Sequence, residues 1–397
     1  MKKILCIALL LCLCLSLCSF DYPDPEIKSL AESKNDSTVL QPTFSVNCKG
    51  AVLMEASTGK ILFEQDMNYT GSPASVTKVM TLLLVMEALD AGKIRTEDKV
   101  AVSAYAASMG GSQVFLEEGE EFTIEDLVKC TVISSANDAA VALAETVGGS
   151  EEAFVSMMNA RATELGLGDT HFENVTGLDD TTTDHRTSAR DIAVMSRELI
   201  RHPLILKYSS LWQDSIRDGA FTLTNTNRLV RFYRGCNGLK TGSTSKAGYC
   251  VSTTAERDGM TLIAVVMGAP SRDERNDIAR TLLDFGFSSF AVYRHGGGRA
   301  DTLPVPGGTV NEVSVTEAPF AVIVEKGKAD RVEVTYDLPA ELPAPVRAGQ
   351  QIGSVTYTLD GEVIGKGAVT ADADVPKITF REILFRMFRH ILTGDAG

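Results

Sequence analysis

The hydrophobic pattern changes character several times along the chain. Lys2 and Lys3 precede a nearly unbroken apolar run from Ile4 to Leu17. That is the charge and length of an export signal, since a membrane span needs about 20 apolar residues. The stretch that follows, to about Pro42, is rich in Asp, Glu, Ser and Pro without a period and reads as a spacer. From Gly50 onward, the apolar runs 51–54 and 61–63 flank Ser57-Thr58-Gly59-Lys60 as two strands around a turn. Positions 79–89 are apolar on nearly every helical face, which predicts a buried helix. Further helices are predicted over 124–147, 151–165 and 189–200. Strand patterning returns at 247–255 and 261–267 around the turn Arg257-Asp258-Gly259, and 273–287 closes the region as a helix. Strands at both ends of a helical insert predict an α+β domain whose antiparallel sheet joins sequence-distant strands.

The pattern then shortens. Gly296-Gly297-Gly298, with Pro304, Pro306, Gly307 and Gly308, reads as a linker near residue 300. Beyond it, brief alternating runs separated by Pro and Gly predict a small all-β domain. Finally Phe380, Ile383, Leu384, Met387, Phe388 and Ile391 form one helical stripe, accompanied by Lys377, Arg381, Arg386 and Arg389 against Glu382 alone. A basic amphipathic helix in an acidic protein suits the interface of an anionic membrane. The expected organisation is a signal over 1–19, a polar leader over 20–43, an α+β domain over 44–295, a small β-sandwich-like domain over 300–376 and an anchoring helix over 377–393.

Composition narrows the function. With 397 residues, 44% of them hydrophobic, the protein can build a large core, and its formal charge of -14 argues against nucleic acid as a partner. Of eight cysteines, Cys6, Cys12, Cys14 and Cys18 fall in or beside the signal. The remaining Cys48, Cys130, Cys236 and Cys250 read as small buried hydrophobes. His171, His185, His202, His295 and His390 lack metal-ligand spacing, so no metal and no cofactor is expected.

Ser-x-x-Lys occurs three times, at Ser57, Ser75 and Ser243. The first straddles a strand turn and the third a loop. Only Ser75 to Lys78 begins a buried helix, where positions i and i+3 share a face. A serine hydroxyl needs a base to become a nucleophile, and a lysine serves only when burial or a second cation keeps it neutral. Farther on, Ser134-Ser135-Ala136-Asn137-Asp138 interrupts an apolar, Ala-rich stretch. There Ser135 can relay protons and Asn137 can hold an amide. Later still, Gly238-Leu239-Lys240-Thr241-Gly242 leads into strand patterning; Lys240 and Thr241 can grip a carboxylate, and Gly242 lets a peptide backbone approach.

In this order, Ser75-Val76-Thr77-Lys78, Ser135-Ala136-Asn137 and Lys240-Thr241-Gly242 match the signature shared by β-lactamases and penicillin-binding proteins. The flanks 72–81, 137–140 and 238–249, with 172–178 and 187–191, resemble the low-molecular-mass penicillin-binding proteins, the serine-type D-alanyl-D-alanine carboxypeptidases. The resemblance covers nearly everything after residue 45. It implies a β-lactamase/transpeptidase-like catalytic domain and hydrolysis of the terminal D-alanine from peptidoglycan stem peptides ending in D-Ala-D-Ala. It also implies covalent inhibition by β-lactams and a location outside the cytoplasmic membrane. By it, Ser75 is acylated, Lys78 is its base, Ser135 shuttles protons and Asn137 positions substrate, while Lys240, Thr241 and Gly242 meet the terminal residue. The backbone N–H groups of Ser75 and Ser243 form the oxyanion hole, a pair of donors each worth about 3 kcal/mol. Ala136 stands where many relatives carry Gly, and Val175 where Pro is common.

A serine β-lactamase is the nearest rival, but no Glu-x-x-x-Asn lies between the second and third motifs. A DD-endopeptidase shares the same machinery. A non-catalytic peptidoglycan-binding scaffold fits poorly, because every reactive side chain is present.

Overall fold

The computed structural model describes residues 44–180 and 182–393. The signal and polar leader expected over 1–19 and 20–43 lie outside the described residues. Strands β1 (Gly50–Glu55) and β2 (Ile61–Gln65) form a hairpin. Two ribbons follow, β3 (Lys99–Ala101) with β4 (Glu121–Thr123), and β5 (Gln213–Ile216) with β6 (Phe221–Thr224). Then come the long strands β7 (Cys236–Thr244), β8 (Gly248–Arg257) and β9 (Met260–Ala269). The first hairpin and these three make an antiparallel sheet in the order β2-β1-β9-β8-β7, so the opening strand pairs with one more than 200 positions later.

Burial on both faces explains why β1 reads as a continuous apolar run. Val52 and Met54 face the core built from helices Lys78–Asp90, Ile124–Ile133, Asn137–Gly148, Glu151–Glu164 and Ala189–Leu199. Ala51 and Leu53 face the other core, with Ile278, Leu282 and Leu283 of helix Arg272–Ser289. The buried helix expected at 79–89 is present as Lys78–Asp90, with a 3₁₀ turn at Ala74–Thr77 ahead of it. The single helix expected over 124–147 is two helices, because the backbone breaks at Ser134–Ala136 and Ser135 adopts a left-handed φ of 64°. A non-glycine residue rarely rests there without surrounding contacts to hold it.

The second region contains β10 (Phe290–His295), β11 (Gly298–Pro304), β12 (Glu312–Glu317), β13 (Phe320–Glu325), β14 (Val332–Asp337), β15 (Gln351–Leu359) and β16 (Glu362–Ala371). Five of these form a sheet in the order β11-β12-β16-β15-β14, and β10 pairs with β13. The buried ring of Tyr357 stacks on Phe320 at 4.0 Å at its centre. The boundary therefore differs from the expected one. β10, expected within the catalytic domain, pairs along its whole length with β13, and the triple glycine is a tight passage between strands. A Cβ on Gly297, whose φ is +68°, would meet the Pro319 nitrogen at 2.6 Å, so glycine is needed there for close packing.

Helix Phe380–Thr393 closes the described residues. A reciprocal cap starts it: the Glu382 carboxylate accepts from the Thr379 N–H at 2.7 Å, and the Thr379 hydroxyl accepts from the Glu382 N–H at 3.3 Å. Its apolar stripe is uncovered, with Phe380 78% and Ile391 75% exposed. Among the described residues, no helix is long and apolar enough to cross a membrane.

Candidate active site

Three segments meet at one cleft. The 3₁₀ turn presents Ser75, the break between two helices presents Ser135, and edge strand β7 presents Thr241, Gly242 and Ser243; all five line a cleft of about 670 Å³. Close approach requires glycine at 242, since a Cβ there would lie 2.7 Å from the Ser75 nitrogen and 2.8 Å from the Pro73 oxygen.

Lys78 is fully buried, and its Nζ touches three oxygens: Ser75 Oγ at 3.0 Å, Asn137 Oδ1 at 2.6 Å and the Thr176 carbonyl at 2.9 Å. Burial, and then the charge of Lys240, hold its pKa well below the ordinary lysine value, with Asp138 opposing. When this amine is neutral it has two hydrogens and one lone pair. The amide oxygen and the backbone carbonyl are acceptors only, so they take the hydrogens. The lone pair is left for the Ser75 hydroxyl, which then donates its proton toward Lys78.

Lys240 is also fully buried, and its Nζ donates to Ser135 Oγ and to the Thr241 carbonyl, both at 2.8 Å. Burial, then Arg275, lowers its pKa to about 7. Thus the Ser135 hydroxyl is held from the β7 side, and the hydrogen bonds of Lys78 run elsewhere. Thr241 lines the cleft, whereas Lys240 sits behind it. Asn137 is engaged at both ends, its Nδ2 donating to the Gly110 carbonyl at 2.7 Å.

Four residues escaped the sequence reading. Arg275 is 97% buried yet lines the cleft, donating to Asn276 Oδ1 at 2.9 Å. Ser112 lines it from a loop that the Asp138 carboxylate pins by accepting the N–H groups of Val114 and Leu116, at 3.0 and 3.1 Å. Beneath the nucleophile turn, burial lowers the pKa of His185 to about 4 and keeps the ring neutral. Its Nδ1 accepts from the Glu173 N–H, so its Nε2–H donates to Thr77 Oγ1 at 2.7 Å. The spacing of a lone Arg, Ser, Asp or His carries no signal. Only the position of Asp138 beside Asn137 hinted at it.

A serine backed by a buried amine whose hold on its proton is weakened, in a cleft beside an antiparallel sheet, defines an acyl-transfer hydrolase of the transpeptidase-like fold. Comparison with known proteins gives the family. Residues 35–271 match the family model for D-alanyl-D-alanine carboxypeptidase, and residues 287–377 match that for the C-terminal domain of penicillin-binding protein 5. The chain is 43% identical to D-alanyl-D-alanine carboxypeptidase DacF of Bacillus subtilis over 85% of its own length and 88% of that protein's. Penicillin-binding protein 5 of Haemophilus influenzae superposes with a TM-score of 0.74 at 32% identity, over 85% of this chain and 99% of that one. Penicillin-binding protein D2 of Listeria monocytogenes, solved with ampicillin bound, gives 0.57 at 30% identity over 62% and 100%. The chain belongs to the D-alanyl-D-alanine carboxypeptidase family.

The four cysteines of the described region are free thiols. Cys130, Cys236 and Cys250 are buried and Cys48 is half-buried. No group of three or more His, Cys, Asp or Glu able to hold a metal occurs among the described residues.

Proposed function

We propose that this carboxypeptidase works through an acyl-enzyme on Ser75, and that the observation carrying the reading is the buried Lys78 amine held between two acceptor-only oxygens and the Ser75 hydroxyl, so that its neutral form turns a lone pair toward Ser75. Ser75 Oγ attacks the carbonyl of the penultimate D-alanine as Lys78 takes its proton. The C–N bond then breaks, the terminal D-alanine leaves with a proton delivered by way of Ser135, and water releases the shortened peptide as a carboxylate. Asn137 orients the substrate amide with its second Nδ2 hydrogen, and Thr241, backed by Lys240, meets the terminal carboxylate. The backbone N–H groups of Ser75 and Ser243 stabilise the tetrahedral oxyanion. The same nucleophile opens a β-lactam ring. Intact mass followed by peptide mapping after β-lactam treatment is expected to place one adduct on Ser75, absent from Ser75→Ala. Labelling that survives that change contradicts the assignment.

Such a substrate lies outside the cytoplasmic membrane, in keeping with the export signal read from residues 1–19. We infer that the uncovered stripe of helix Phe380–Thr393 rests in the interface of that membrane, helped by Lys377, Arg381 and Arg386. Deleting Lys377 onward is expected to move the mature protein from the membrane to the soluble fraction while activity on a soluble peptide stays within about twofold. An unchanged membrane fraction refutes the anchor.

A further inference from the structure

The two backbone N–H groups assigned to the oxyanion belong to different walls of the cleft. Ser75 sits in the 3₁₀ turn Ala74–Thr77, and Ser243 lies near the end of β7, the edge strand of its sheet. Gly242 lets the walls touch, but van der Waals contact alone does not fix their register. One side chain ties both walls together. The Asp179 carboxylate, through Oδ2, accepts from Thr244 Oγ1 at 2.5 Å and from Ser72 Oγ at 3.3 Å. Thr244 directly follows Ser243, and Ser72 precedes Ser75 by three residues. With its hydrogen on Asp179, the Thr244 oxygen accepts from the Ala247 N–H at 3.0 Å, which fixes the turn into β8. A hydroxyl-to-carboxylate bond this short is charge-assisted, roughly twice as strong as a neutral one.

The loop that carries Asp179 is itself built against the nucleophile. Asn174 Oδ1 accepts from the N–H groups of Thr176 and Gly177, at 3.2 and 2.7 Å, and its Nδ2 donates to the Leu178 carbonyl at 2.7 Å. Folded in this way, the loop offers the Thr176 carbonyl to Lys78. It also lays Gly177, whose φ is +79°, so close to the residue before the nucleophile that a Cβ there would lie 1.9 Å from the Ala74 oxygen. Ala74 is buried and holds a left-handed φ of 50°, a strained state for alanine that persists only where its surroundings impose it. We propose that Asp179 is a positioning residue whose carboxylate sets the separation of the Ser75 and Ser243 N–H groups, so that both reach one oxyanion. The reason is geometric. Donors stabilise a tetrahedral oxyanion only within about 3 Å of where it forms, and an error of about 1 Å costs on the order of 10²-fold in rate. Asp179 does not line the cleft, so it acts through the walls that it joins.

The inference rests on the acyl-enzyme at Ser75, and the test separates the two. The enzyme is acylated with a β-lactam whose ring carbonyl is isotope-labelled, and the carbonyl band is read by infrared difference spectroscopy beside the single-turnover acylation rate. Hydrogen bonds from the hole pull the carbonyl stretch to lower frequency. Asp179→Ala is expected to slow acylation by about 30-fold, less than the loss of a whole donor, and to move the band to higher frequency. Asp179→Asn keeps an acceptor for Thr244 and is expected to stay within about threefold of the wild type, with the band in place. Thr244→Val removes the bridge from the other end, so it is expected to reproduce the shift, and the double variant to be no slower than Asp179→Ala alone. An unmoved band in Asp179→Ala overturns the inference whether or not acylation slows, as do wild-type rate and band in Thr244→Val or rates that fall multiplicatively in the double variant. Should Asp179→Ala not fold, the band in Thr244→Val decides. An adduct on Ser75 beside any of these results leaves the acyl-enzyme standing, and its absence from the wild type removes both.

Discussion

Lys78→Met is expected to slow acylation, by a β-lactam or by a D-Ala-D-Ala peptide, by about 10³-fold, the contribution of a well-placed general base. The same variant is expected to melt at a higher temperature at neutral pH. The sign follows from linkage. A lysine whose folded pKa lies below its unfolded value binds its proton more weakly in the native state, so it costs stability at pH values below the unfolded pKa and stops doing so above it. Methionine fills the space without that cost but forfeits the hydrogen bonds to Asn137 and Thr176, about 1 kcal/mol each, and the net advantage disappears as the pH rises through the range where an unfolded lysine loses its proton. Stopped-flow acylation and pH-dependent melting check both halves. Wild-type acylation rates in the variant exclude Lys78 as the base. A variant that is no more stable than the wild type contradicts the stability cost assigned to the buried Lys78.

Lys240→Met is expected to produce the second large effect. Because Lys240 is the charge that most lowers the pKa of Lys78 after burial, its removal raises the proton affinity of the base, and the acidic limb of the acylation profile moves to higher pH. Lys240→Arg keeps the charge and is expected to leave the limb in place. Stability again moves the other way. With a folded pKa of about 7, Lys240 penalises folding fully below that pH and progressively less up to the unfolded lysine range. The penalty at neutral pH is on the order of 4 kcal/mol, less about 1 kcal/mol for each of the two hydrogen bonds to Ser135 and Thr241 that the methionine forfeits. A pH–rate limb that does not move in Lys240→Met, or a melting gain that persists at about pH 11, past the unfolded lysine pKa, contradicts the electrostatic coupling.

Much of the molecule is legible in its sequence, for physical reasons that differ by element. The helix Lys78–Asp90 and strands β8 and β9 are buried on nearly every side, so their apolar runs stand out without any partner being known. The ribbon β5–β6 and strand β7 carry no such pattern. Gln213–Ile216 is mostly polar, and Cys236–Thr244 mixes glycine and lysine at a sheet edge, where Thr241, Gly242 and Ser243 line the cleft while Cys236 and Leu239 pack into the cores. The break at Ser134–Ala136 is visible as polar residues in an Ala-rich stretch, yet the left-handed turn at Ser135 is not, since serine has no preference for it. Spacing alone brings Ser75 and Lys78 together. It gives no hint that the Lys240 side chain is buried, nor that the charge of Arg275 reaches it, because the second depends on how the closing helix packs across the sheet.

Lys78 of the reactive pair is joined by hydrogen bonds to Asn137 and Thr176, 59 and 98 positions away, and beside it Ser135 is held by Lys240 across 105 positions. No contiguous fragment of the polypeptide can therefore hold a working nucleophile, and a locally opened molecule loses reactivity in the same event that separates its segments. Capture of a fluorescent penicillin becomes a gauge of global integrity: the fraction of molecules that can still be tagged under heat or urea should track the folded population itself.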